Sequence, residues 1–137
     1  MDKLKWNTDI KTLTTPKQRK IVLEAMYWCV EELGMRPRLN AFPDLKLINN
    51  SNLGLYGEYV SAAHLILIYP DEHTTLRKLV DTAIHEFTHS CQRFISVRYN
   101  AASEKHGYDK NPFEVEARKV ARENRGACIK HLQKVFG

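Results

Sequence analysis

His85-Glu86-Phe87-Thr88-His89 reads H-E-x-x-H, and how this stretch folds decides what the rest of the chain must supply. In an α-helix each residue turns about 100°, so His85 and His89 project from one face a single turn apart, close enough for both imidazoles to ligate one Zn²⁺. Glu86 lies beside that pair, where its carboxylate can take a proton from a metal-activated water without itself being a ligand. The plainer reading of the same residues is a surface helix with two solvated histidines and an unrelated glutamate. Two features of context separate the readings: a helix around the motif, and a third ligand downstream.

The residues around the motif predict a helix. Leu76, Leu79, Val80, Ala83, Ile84, Phe87, Cys91, Phe94 and Ile95 recur at helical spacing and trace a broad apolar stripe from 76 to about 97. Thr74 or Thr75 can cap its start. Cys91 falls about 200° round the helix from His89, which gives it a place in the core and not at a metal. Asp81, one turn before His85, is either on the solvated face or placed to orient a ligand histidine from behind.

Working outward, Thr15-Pro16-Lys17-Gln18 reads as a helix start, with a hydroxyl N-cap, proline at the first helical position and Gln18 closing a capping box. Ile21, Val22, Ala25, Met26, Cys29 and Leu33 continue it as a helix over 16–33, stopped by Gly34. Residues 1–14 are a short irregular lead-in or a loosely packed arm; their sequence is compatible with both. Three strands are predicted at 45–48, 53–60 and 64–69, with Asn49-Asn50-Ser51-Asn52 as a loop and short links that favour antiparallel neighbours. Leu65 to Tyr69 is apolar at every position, which suggests both faces of that strand are covered, and His64 at its edge reads as a turn or rim residue. Downstream, 99–110 is polar and reads as a loop. Asn111-Pro112-Phe113-Glu114 opens a last helix, with Gly126 a point for a kink or break.

The expected fold is therefore α+β: one domain over 1–137, with an N-terminal helix, a small mostly antiparallel sheet of about three strands, a helix carrying the motif and a C-terminal helix. A chain of 137 residues with 43% hydrophobic and 27% charged residues can bury a core without staples, and neither figure points to disorder. The net charge of +5 includes a somewhat lysine-rich N-terminus (Lys3, Lys5, Lys11, Lys17, Arg19, Lys20); solvated helix faces account for it, with attraction to nucleic acid or an acidic partner as the other reading. Three separated cysteines without a C-x-x-C pair argue against a disulfide framework and for a reducing compartment. The N-terminus lacks an apolar core of signal-peptide length and no run approaches ~20 apolar residues, so the expected location is cytoplasmic, with no membrane partner.

A catalytic zinc takes three protein ligands and leaves one position open. Downstream of the motif the candidates are His106, Asp109, Glu114, Glu116 and His131. With Phe113 placed at zero on a helical wheel, Glu114 falls at about 100° and borders the apolar face, whereas Glu116 at about 300° groups with Lys119 and Glu123 on the solvated side. Capping and the helix dipole also favour a glutamate at the position of Glu114, so by itself it says little. Set beside H-E-x-x-H, a glutamate at the buried edge followed by the small Ala117, which lets two helices approach, is the better ligand candidate.

These residues carry a family resemblance. His85-Glu86-x-x-His89, followed after a loop by Pro112-Phe113-Glu114-Val115-Glu116-Ala117, resembles the small gluzincin-type zinc metallopeptidases, whose third ligand is a glutamate in an E-x-x-A setting on a following helix. The order of one helix, a small sheet and then the active-site helix is similar to a minimal zincin, with Gly57-x-Tyr59 and Ile66-x-Ile68 where such domains place their last strands. The likeness covers the layout of 16–125 and is specific at the two motifs. It implies that Glu114 ligates zinc and that the edge strand near 53–60 holds an extended peptide by strand addition. The metzincin continuation is excluded, because Gln92 and Ile95 stand where it requires glycine and histidine. His106-Gly107, 17 residues after His89, resembles the third-ligand region of SprT-like proteases and makes His106 the competing ligand.

The expected function is that of a zinc metallopeptidase acting on a peptide or protein substrate, with His85, His89 and Glu114 on Zn²⁺, Glu86 as general base, and Tyr108 or His106 as candidate oxyanion donors. The rival from another class is a non-catalytic, metal-stabilised binding module drawn to nucleic acid by its charge. Glu86 argues against that rival, because a structural site has no use for a base beside its ligands. A SprT-like protease acting on DNA-bound proteins combines the two.

Overall fold

The computed structural model describes residues 3–49 and 54–137. Among the described residues four α-helices and three strands form an α+β arrangement: α1 (Thr15–Leu33), β1 (Asp44–Leu47), β2 (Gly57–Val60), β3 (Leu65–Ile68), α2 (Leu76–Cys91), α3 (Ile95–His106) and α4 (Pro112–Phe136). Residues 50–52 of the expected loop and residue 53 of the expected 53–60 strand lie outside the described residues; residues 54–56 are described and are not strand, which begins at Gly57.

The sheet order is β1-β3-β2, with β1 parallel and β2 antiparallel to β3. It is thus mixed, where a mostly antiparallel sheet was expected: the chain lays β2 on the far side of β3, so β1 meets β3 in the same direction. Ile66 and Ile68 of the central strand are fully buried, while Leu65 and Leu67 stay half-buried. One face of the sheet is therefore sealed by helices, and the other is only partly covered, contrary to the expectation from its all-apolar run.

The stripe of α2 enters the core as its spacing predicts. Leu79, Val80, Ala83, Ile84 and Phe87 are all buried against Ile21, Val22, Ala25 and Met26 of α1, Ile66 and Ile68 of β3, and Ala121, Cys128 and Leu132 of α4. Removing that much apolar surface from water, at about 25 cal/mol per Å², is what holds α2 in the centre. Ala117 and Ala121, both buried, keep the α2-facing side of α4 small enough for close approach. That helix runs unbroken through Gly126.

Helix boundaries differ in detail from the sequence reading. The N-cap of α1 is Thr14, whose hydroxyl accepts from the Lys17 N–H at 3.3 Å; the Gln18 amide forms no capping box and instead donates to the carbonyls of Ile10 and Leu13, 3.1 Å each. Gly34, at φ 66°, stops the helix in the left-handed conformation that only glycine adopts freely. Thr75 caps α2. The predicted helix to 97 ends at Cys91, and the predicted loop 99–110 is mostly α3; the break is at Gln92–Phe94, where Phe94 takes φ 64°. With Ile95 its one buried residue, α3 has no apolar stripe to announce it. The N-terminal arm is pinned: Leu4 and Ile10 are buried, and the carbonyls of Thr8 and Trp6 accept from the first N–H groups of α2, Leu76 and Arg77, at 2.8 Å. Among the described residues no helix is long and apolar enough to cross a membrane.

Candidate metal centre

His85 and His89 stand one turn apart on α2 with ring centroids 4.9 Å apart, and α4 delivers Glu114 between them. Its Oε1 lies 2.9 Å from His85 Nε2 and 3.1 Å from His89 Nε2. One ligand atom from each of the three residues lies within 4.8 Å of the others, and Glu114 is buried. Asn111 reserves this geometry: its side-chain oxygen caps α4 at Phe113 N–H, and its amide donates to the Tyr99 carbonyl and to Ser103 of α3, so α4 starts at a fixed place. Glu114 is thereby released from capping duty. The competing His106 ends α3 exposed to solvent and outside this convergence.

The hydrogen bonds around the site fit a cation. The Gln92 amide nitrogen donates to the Phe113 carbonyl at 2.8 Å and to Glu116 at 2.9 Å, which turns its oxygen toward His89 Nδ1 at 2.6 Å. His89 therefore carries its proton on Nδ1 and, when neutral, presents the Nε2 lone pair to the Glu114 carboxylate. Two acceptors that face each other at 3.1 Å require a positive charge between them, either a proton or a metal ion. Two imidazoles and one carboxylate are a donor set that suits zinc, with other divalent ions not excluded by the ligands alone. On its other side Glu114 accepts a short hydrogen bond from the Tyr99 hydroxyl through Oε2, leaving Oε1 for the histidines.

Electrostatics follow the same arrangement. Burial would raise Glu114, but the hydrogen bonds from His85, His89 and Tyr99 hold it well below the usual carboxylate range. Burial pulls His89 down; the bond to Glu114 and the charges of Glu86 and Glu114 outweigh it and lift the imidazole above its ordinary value. Glu86 is pushed up, chiefly by burial, against the opposing pull of His89 and His85. It accepts no hydrogen bond from the described side chains and faces the same cleft as the three converging residues.

That cleft, about 330 Å³, lies between β2 on one side and α3 with Tyr108 on the other. Gly57 makes it possible: a Cβ there would stand 2.9 Å from Leu67 O and from Thr82 Cγ2, and 3.2 Å from Glu86 Cγ, so only glycine lets β2 approach α2 beside Glu86. Tyr69 N–H bonds Tyr56 C=O at 3.0 Å; by the alternation of an antiparallel ladder, Glu58 and Val60 bond toward β3, whereas Gly57 and Tyr59 turn their N–H and C=O groups to the open edge.

Of the other expected residues, Tyr108 lines the cleft, whereas His106 does not. Asp81 neither orients a histidine nor lies free: it pairs with Arg125 at 2.8 Å. His64 is a rim residue as read, held by Tyr59 Oη at 2.7 Å and the Ala41 carbonyl at 2.5 Å. Cys91 is half-buried away from the ligands, its thiol pushed up to about 11, mainly by burial. Reading by sequence missed Gln92 and Tyr99. Gln92 follows His89 by three, the spacing of facing residues on a helix, and was legible in principle; Tyr99 was hidden in a stretch read as loop. No family profile, curated protein or solved structure matches this chain.

Proposed function

We propose that the chain is a zinc-dependent peptidase. The observation that carries the reading is the convergence of His85, His89 and Glu114 in a cleft that also holds a buried Glu86 with no hydrogen bond from the described side chains. When bound, zinc supplies Lewis acidity toward a carbonyl and lowers the pKa of a water. His85, His89 and Glu114 would hold it, with Gln92 and Tyr99 locking the outward atoms of His89 and Glu114. Glu86 takes a proton from the attacking water and returns it to the leaving amine; burial raises its proton affinity toward that of a base that also gives the proton back. The open-edge groups of Gly57 and Tyr59 match the hydrogen-bonding pattern of an extended peptide and support a substrate chain laid along β2. The hydroxyl of Tyr108, on the opposite wall, serves as donor to the developing oxyanion.

The test is Glu86→Gln, assayed for zinc content and for cleavage of unfolded protein. Zinc retained with cleavage lost by about 10²-fold or more is the expected result; unchanged cleavage removes Glu86 as the base, and a wild-type protein that binds zinc stoichiometrically yet cleaves no peptide overturns the reading.

A further inference from the structure

A second hollow, of about 420 Å³, adjoins the cleft. Asp81 and Thr82 of α2 line it one turn before His85 and Glu86 line the cleft, and Tyr56 faces it while Leu55 and Gly57 face the cleft. Trp6 and Tyr56 form its walls, 57% and 50% exposed. Three cations, Arg77, Lys78 and Arg125, face a single carboxylate, Asp81, which is already paired with Arg125. Neither Arg77 nor Lys78 has an ion-pair partner among the described residues; the Lys78 ammonium lies 6.0 Å from the Tyr56 ring centre.

Helix stability does not account for these cations, because positive charge in the first turn opposes the helix dipole. The backbone there offers no anion site of its own: the N–H groups of Leu76, Arg77 and Lys78 are taken by Thr8 O, Trp6 O and Thr75 Oγ1. The free positive charge of the hollow is therefore in side chains, on flexible stems, between half-exposed aromatic walls.

Resting on the peptidase reading, we propose that this hollow is a substrate subsite for an acidic side chain of the bound peptide, its carboxylate on Arg77 and Lys78 and its methylene stem against Trp6 and Tyr56. An extended chain on the open edge at Gly57 advances about 3.3 Å per residue, and one turn of α2 spans about 5.4 Å, so the acidic residue lies about two positions along the chain from the cleft. The subsite adds specificity to a backbone-held substrate, whose main-chain bonds to β2 carry no sequence information.

The experiment uses the zinc-loaded Glu86→Gln protein and fluorescein-labelled peptides in pairs that carry Glu or Gln at one scanned position, followed by anisotropy. At one position the Glu peptide should bind about five- to tenfold more tightly at low ionic strength, a preference that shrinks as salt is added. In the Arg77→Gln/Lys78→Gln background the two peptides should bind alike. In wild-type enzyme the same pair should differ in KM and not in kcat, a comparison that decides the matter even where Glu86→Gln fails to fold. The proposal is overturned by an absence of preference at every position, by a preference that survives the double substitution, or by an oligonucleotide probe that takes the salt-sensitive, substitution-sensitive binding while peptides show no acidic preference. Peptides cleaved without acidic preference remove the subsite and leave the peptidase reading standing; zinc-loaded wild type that cleaves none removes both.

Discussion

Gln92 illustrates how one amide sets the chemistry of a neighbour. Its nitrogen is committed to Phe113 and Glu116, so its oxygen fixes the His89 tautomer and aims Nε2 at Glu114. Gln92→Leu should therefore weaken zinc binding by about 10–100-fold, measured by chelator competition, while the fold is retained; an unchanged affinity would show that the helix alone aims the imidazole. His73 makes the opposite use of a tautomer. It is 2% exposed, donates from Nδ1 to the Tyr69 carbonyl at 2.9 Å and accepts at Nε2 from Thr82 at 2.8 Å. Burial, joined by Lys78 and opposed by backbone hydrogen bonds and Asp71, lowers its pKa from 6.5. The folded state thus resists protonation that the unfolded chain accepts: the contribution of His73 is constant above about 6.5 and turns against folding as pH falls through that value. Urea melts of metal-free protein should show that His73→Gln costs less stability at pH 5.5 than at pH 7.5, and an equal cost at both would mean the ring titrates as freely in the fold as outside it.

At the scale of elements, the decisive contact is β2 against α2 at Gly57. Gly57→Ala puts a methyl group where Leu67 O and Thr82 Cγ2 already stand at 2.9 Å, and both the strand and Glu86 must give way. The expected outcome is a loss of about 1–3 kcal/mol of stability by denaturant melt together with a larger fall in cleavage than in zinc binding, because Glu86 shifts and the ligands do not. The helices differ in how openly they were written. Those with an apolar stripe and caps, α1, α2 and α4, were readable from spacing, since each buries one face in the same core. The polar α3, which contributes Tyr99 to the site, was not, because its position rests on Asn111 bonding back to Tyr99 and Ser103 and not on a pattern of its own.

For the whole molecule, the candidate centre joins α2 to α4 across separate parts of the chain, so the binding of a metal there would be coupled to folding. His89 and Glu114, both buried, approach each other to 3.1 Å from these two helices. Saturating zinc at ~1,000 times its Kd should add about 4 kcal/mol to the stability of the wild type. Calorimetry with and without chelator should show the corresponding rise in Tm, absent in His89→Ala; equal Tm values with and without zinc would mean that the three residues do not bind it.

What the sequence determined by itself was the pair of histidines, the glutamate beside the first of them and the element that carries all three, because those relations are set within a few residues by helical geometry. It also narrowed the third candidate ligand to Glu114 or His106. The choice between them belongs to tertiary structure: α4, seated through Ala117, Ala121 and Leu132, brings Glu114 to 2.9 and 3.1 Å from the histidines, while α3 carries His106 out to solvent. The parallel pairing of β1, the open edge of β2 and the locks at Gln92 and Tyr99 were decided the same way. Each depends on distances between residues remote in the chain, which are set by how the apolar faces of several elements share one core and not by any local pattern.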